Sequence, residues 1–206
     1  MDANWQKPPW TDIPPLAIDR YTGARPSYFP RVQAKLAYDD SALYVIFHVE
    51  DRYVRAVMQN YQDPVADDSC VELFFTPGED ITQGYFNLEV NCGGTAWFHH
   101  QKERHIADVP VSAADFERVQ IAHTLPKVVE PEIIEPVTWT VEYRLPFEIL
   151  PRYAPCSSPE TGRHWRANLH KCADATSHPH WLSWSPANLS EPDFHRPEFF
   201  GTLVFA

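Results

Sequence analysis

No stretch of the chain approaches the roughly 18 consecutive apolar residues of a membrane-spanning helix. Glycine is scarce, at 7 of 206 residues, about half its usual share. That scarcity excludes the Gly-rich turns on which Rossmann and phosphate-loop enzymes depend. There are only four cysteines, Cys70, Cys92, Cys156 and Cys172. They are too few and too scattered for a disulfide scaffold, and no pair has the CxxC spacing that would argue for zinc. Positive charge is short as well. Lys+Arg 17 against Asp+Glu 28 gives a net charge of −11, which speaks against nucleic acid or an anionic membrane as main partner. A GxSxG elbow is missing, as is any Cys/His arrangement with a local signature. The first fifteen residues are polar and broken by proline, so they do not read as a signal peptide. The expectation is a cytoplasmic chain unless a leader has been removed.

Proline, in contrast, is abundant, with 20 residues, about twice its usual share. Many prolines with few glycines suit short strands joined by rigid connections. Hydrophobic residues make up 44% and charged residues 22%, a balance that excludes a disordered chain. The length suggests a single domain over 1–206, with 1–27 an irregular extension packed on it.

The clearest pattern is period-two alternation, the signature of half-buried strands. Leu43, Val45, Phe47 and Val49 alternate with Tyr44, Ile46, His48 and Glu50. Val71, Leu73 and Phe75 alternate with Cys70, Glu72 and Phe74. Phe86, Leu88, Val90 and Cys92 alternate with Tyr85, Asn87, Glu89 and Asn91. Trp139, Val141, Tyr143 and Leu145 alternate with Thr138, Thr140, Glu142 and Arg144, and Trp165, Ala167 and Leu169 with Arg166, Asn168 and His170. A last strand runs through Gly201 to Phe205. Helix signals are weak. Ser112 can cap a short helix, in a stretch whose spacing also fits a strand edge. The segment 146–153 holds a turn or two ended by Pro151, and 124–136 is a loop with room for an edge strand. The spacing predicts an all-β, antiparallel β-sandwich or jelly roll with long Pro-rich loops.

One face of each strand is oily, and those faces are expected to form the core, with Val45, Leu73, Leu88, Val141, Leu169 and Leu203 among its members. The other faces carry Glu72, Asn87, Glu89, Asn91, Arg144, Arg166, Asn168 and His170. Gathered on one sheet, these side chains supply the paired donors and acceptors that hold adjacent hydroxyls. The competing reading is a solvated sheet face. The polar set, however, is rich in Asn, Glu and Arg and nearly free of Lys. Tyr85, Trp97, Trp181, Trp184 and Phe194 are the candidate rings against which a sugar's C–H face would stack.

Several other chemistries are weaker readings. Glu72 and Glu89 are a candidate acid and base for glycoside hydrolysis. His99 and His100 are adjacent and His178 and His180 flank Pro179, where an extended loop could present two ligands, but neither pair has the spacing of a helical metal motif. Asp63, Asp67 and Asp68 offer oxygen ligands for a structural calcium without the interleaving of an EF-hand. No cofactor is expected.

In order along the chain, AKLAYDDSALYVIFHVEDRYVRA, DDSCVELFFTPG, YFNLEVNCGGT, WTVEYRLPF and WLSWSPA…FHRPEFFGTLVF resemble the family 9-like carbohydrate-binding modules, over roughly residues 28–206. The resemblance implies a β-sandwich related to the DOMON group, often found beside bacterial xylanases, that binds a mono- or oligosaccharide as a monomer without catalysis. It places the family's strand glutamate at Glu72 and a loop aromatic at Phe194. The family's second clamp aromatic falls on Ala66, so a second ring has to come from Tyr61 or Trp97. Two alternatives go with the resemblance: a glycoside hydrolase or a subunit of one, and a haem-binding DOMON domain, for which Met58 is the sole axial candidate besides Met1.

Overall fold

The alternating segments pair into two antiparallel sheets whose apolar faces share one core. A computed structural model describes residues 1–104 and 106–206. The smaller sheet has five strands in the order Leu16–Ala17, Arg31–Tyr38, Ala42–Asp51, Val137–Pro146 and Gln120–His123. The larger runs Arg20–Tyr21, Trp181–Ser183, His164–Cys172, Cys70–Thr76, Tyr85–Asn91, Ala96–Gln101 and Val109–Pro110, with Gly201–Val204 also paired to His164–Cys172. A two-stranded ribbon joins Val54–Ala56 to Val129–Ile133, the edge strand expected in the 124–136 loop. This is the all-β sandwich that the alternation predicts.

Register turns the alternation into a core. Leu73 lies opposite both Leu88 and Leu169, and Val141 lies opposite Phe47. Val45, Leu73, Leu88, Val141 and Leu169 are fully buried in one cluster drawn from both sheets. Leu203 is only partly buried against it, because its strand lies beyond the ladder's centre. The Ser112 stretch satisfies both of its readings in turn. Ser112 Oγ accepts the Asp115 N–H and caps the helix Ala113–Phe116, and the chain then enters the strand Gln120–His123. Gly201 has a steric cause: a Cβ there would lie 2.6 Å from the Trp184 ring.

The segment 1–27 is less irregular than expected, since it lends one short strand to each sheet. Its start is fastened to the outer face of the smaller sheet. Glu142 accepts the N–H groups of Asp2 (3.1 Å) and Ala3 (2.8 Å) and the Trp10 indole N–H (3.1 Å).

Charged side chains also enter the core, Lys171 and Asp51 among them. Lys171 occupies a core-facing position of its strand and is fully buried. Its ammonium donates to the Cys172 carbonyl (2.7 Å) and to His180 Nε2 (2.9 Å), with Asp51 Oδ2 at 3.8 Å. His180 Nδ1 in turn meets the His178 carbonyl at 2.9 Å, the tautomer that leaves Nε2 free to accept. Burial first, then the Lys171 charge, pull the His180 pKa down to about 2. His180 Nε2 is therefore taken up by Lys171, while the His178 ring stacks on Tyr53 at 3.6 Å.

Candidate functional site

The outer face of the larger sheet is where the polar residues converge. Glu72 stands directly opposite Glu89 on one neighbouring strand and His170 on the other. Antiparallel register puts such side chains on one face. A pocket of about 140 Å³ opens over them. Glu72, Glu89 and Cys172 form its floor, Phe74, Trp181 and Ala66 its sides, and Asp193, Phe194 and His195 come in from the loop before the last strand. Arg104 reaches the rim and pairs with Asp193 at 3.2 Å.

Both floor carboxyls are nearly sealed, Glu72 at 2% and Glu89 at 8% exposure, and neither forms an ion pair among the described residues. One Glu72 oxygen accepts the Cys172 thiol at 2.9 Å. One Glu89 oxygen accepts the Asn87 amide at 2.8 Å, and Gln101 donates to that amide's oxygen at 3.2 Å. The second oxygen of each carboxyl carries no hydrogen bond among the described residues. Burial raises Glu89 to about 7. Burial, followed by the facing Glu89 charge, raises Glu72 well above the usual carboxylate range.

These shifts set a stability profile. A carboxyl raised in the folded state keeps its proton where the unfolded chain has lost it, so its contribution is complete below about pH 4.3 and fades upward. Stability is expected to fall between about pH 4.5 and 7, by about 3 kcal/mol for Glu89. Glu89→Gln should flatten that slope in thermal melts recorded across the window.

The aromatic residues line the walls. Phe194 stacks on the His170 imidazole at 4.0 Å between ring centroids, with 14° between planes. Burial leaves that imidazole neutral by pushing its pKa well down. His195 meets the Tyr85 hydroxyl at 2.8 Å, which anchors the loop that carries Phe194. Trp181 lies on the pocket wall with Ala66, and its indole N–H donates to Asp174 at 2.8 Å. Trp97 stacks on His99, one strand beyond Glu89. Tyr61 is elsewhere: its ring stacks on Phe116 and its hydroxyl donates to the Val111 carbonyl. The ring near Ala66 is thus Trp181, which the sequence reading named as an exposed aromatic but not as the partner of Phe194.

Of the eight residues expected at the site, Glu72, Glu89 and Phe194 line the pocket and Asn87 braces Glu89. Arg144 does not join them. Its strand belongs to the smaller sheet, where its guanidinium reaches Ser41 and Tyr44. Alternation fixes a side chain's face but not which sheet its strand joins. Asn91, Arg166 and Asn168 share the correct face but are engaged with loop backbone, and Asn91 with the Asp68 carboxylate as well. Asn91 bonds Met58, Asp68, Gly93 and Thr95. Arg166 holds the Phe200 and Gly201 carbonyls. Asn168 clamps Ser185 through both its N–H and its carbonyl. The pocket's Asp174, Asp193 and His195 carry no pattern of their own, because loop geometry brings them in, whereas Cys172 ends the strand that carries His170 and shares its face. The carboxylates of Asp63 and Asp68, weighed for calcium, accept backbone N–H groups of residues 57–60. His99 and His100 point to opposite faces of one strand, and His99 binds Asp108 at 2.5 Å.

Three kinds of similarity bear on this site. The family model for carbohydrate-binding family 9 matches residues 11–205. Among solved structures, the chain is similar to a candidate carbohydrate-binding protein from Bacteroides uniformis, with 28% identity, a TM-score of 0.84, and coverage of 95% of this chain and 88% of that one. It is also similar to a family 9 carbohydrate-binding module from Caldicellulosiruptor kristjanssonii. The complex of that module with cellotriose gives 15% identity and a TM-score of 0.66 over 99% of this chain and 87% of that one. Its complex with glucose gives 16% and 0.63 over 96% and 86%. At those identities the likeness to the Caldicellulosiruptor module is one of fold. No curated protein matches the chain.

Proposed function

The chain belongs to carbohydrate-binding family 9, and from that premise we propose that the pocket over Glu72 and Glu89 holds a single terminal sugar unit of a mono- or oligosaccharide. The observation that carries this reading is the pair of buried carboxyls with one unused oxygen each, floored between aromatic walls. Both carboxyls line the pocket, and adjacent sugar hydroxyls would pair with the oxygens that the protein leaves unused. Phe194 and Trp181 offer rings for the sugar's C–H faces, in place of the aromatic that Ala66 lacks. At about 140 Å³ the pocket is smaller than the roughly 300–1,000 Å³ of sites for drug-sized ligands, which favours a chain end over the middle of a glycan. The complexes of the Caldicellulosiruptor module with glucose and cellotriose support the same class of ligand.

Isothermal titration with glucose, cellotriose, xylose and xylotriose tests the proposal. At least one of these should give saturable heat at a stoichiometry of one. A folded sample that gives none with any of them would contradict it.

A further inference from the structure

We propose that Cys70, Cys172 and Glu72 form a binding site for a thiophilic divalent cation, of the zinc and cadmium kind, beneath the floor of the pocket. Cys70 and Cys172 are 102 positions apart, but strand register sets them directly opposite each other. Glu72 follows Cys70 on the same face of the same strand. The two sulfurs and a carboxylate oxygen all lie within 4.8 Å of one another. Among the described residues this is the one group of three or more side chains so disposed.

The donor set and its surroundings fit such an ion. Two thiolates select soft or borderline metals, and with one carboxylate oxygen they make three corners of a tetrahedron. Zinc–sulfur bonds of about 2.3 Å place two sulfurs about 3.8 Å apart, which is within small side-chain rotations of the spacing observed. The fourth corner can open towards the pocket, because Glu72 and Cys172 both line it. Ala66 lies on the same wall, and its carbonyl is 3.7 Å from the Cys172 sulfur. All four cysteines are free thiols, so both sulfurs are available as ligands. In the metal-free protein the cluster is held neutral, with the thiol of Cys172 donating to Glu72 at 2.9 Å. The cation takes the place of the two thiol protons and of the Glu72 carboxyl proton, which leave to solvent as the metal–ligand bonds form.

The test uses the reduced full chain and the metal alone, without saccharide, so its outcome is independent of the sugar reading. Titration with Cd²⁺ should produce the ultraviolet thiolate-to-cadmium charge-transfer band, saturating at one ion per chain. Cys172→Ser should weaken binding at least about tenfold, and Cys156→Ala should leave it unchanged. X-ray absorption of the zinc-loaded wild type should show two sulfur neighbours at about 2.3 Å, a reading that stands even if Cys172→Ser fails to fold. The proposal is overturned by a missing band, by a band undiminished in a folded Cys172→Ser variant, or by zinc surrounded only by nitrogen and oxygen.

Discussion

Glu72→Ala is expected to lower saccharide affinity at least about 100-fold while shifting the melting temperature by no more than about 2 °C. The two halves of this expectation have different causes. In the folded protein Glu72 has one partner among the described residues, the weakly donating Cys172 thiol. Removing a carboxyl that burial already holds protonated therefore loses little and relieves a desolvation cost. Binding loses more. Leaving a buried sugar hydroxyl without its partner costs roughly 1–3 kcal/mol, and a factor of 100 corresponds to about 2.7 kcal/mol. Glu72→Ala also leaves Asn87 and Glu89 without a second carboxyl across the strand, so hydroxyls lose the paired acceptor. Titration calorimetry and a thermal melt on the same sample separate the effects. An unfolded variant, or one that binds like the wild type, would show the floor to be structural.

Asp51→Ala is expected to destabilise the fold by about 3–5 kcal/mol, the cost of stripping a buried charge of its counterion. Asp51 Oδ2 is the one carboxylate oxygen within 4 Å of the buried Lys171 ammonium among the described residues. Burial raises the Asp51 pKa and the Lys171 charge pulls it back, as expected for a pair that must be kept together. Asp51 also accepts the Arg52 N–H at 2.7 Å and the Tyr28 hydroxyl at 3.3 Å. Adding Lys171→Met to Asp51→Ala should recover most of the loss, because a buried pair replaced by apolar side chains is often neutral or better. Urea unfolding of the three variants measures this. A double variant as unstable as the single one would mean that the Tyr28 and Arg52 bonds, and not the lysine, make Asp51 necessary.

How far the sequence could be read depended on the range of the information. The local period-two signal placed Leu73, Leu88 and Val141 in the core and put Glu72, Asn87 and Glu89 on the opposite face. It failed where two strands with the same pattern go to different sheets, as with Arg144. It also could not show which face-sharing side chains would be consumed by loop backbone, as Asn91, Arg166 and Asn168 are. Lys171 was invisible for another reason: its position in the alternation was that of a core residue, and only its three-dimensional partners explain a buried ammonium. Short-range cysteine spacing carries no trace of Cys70 opposite Cys172, which only strand register brings together. Trp181 is recognisable in the sequence as an aromatic in or beside a loop, but its place beside Ala66 on the pocket wall depends on elements from elsewhere in the chain.

The indole N–H signals of the tryptophans test the central claim most directly. Trp181 lies on the pocket wall with its N–H on Asp174, whereas Trp10 is bound to Glu142 on the other sheet and Trp165 to Ser157. Adding the saccharide that gives heat to ¹⁵N-labelled protein should move the Trp181 signal, assigned with Trp181→Phe, and leave those of Trp10 and Trp165 in place. A saccharide that moves the Trp10 signal while Trp181 stays fixed would put the binding site on the wrong sheet and contradict the account.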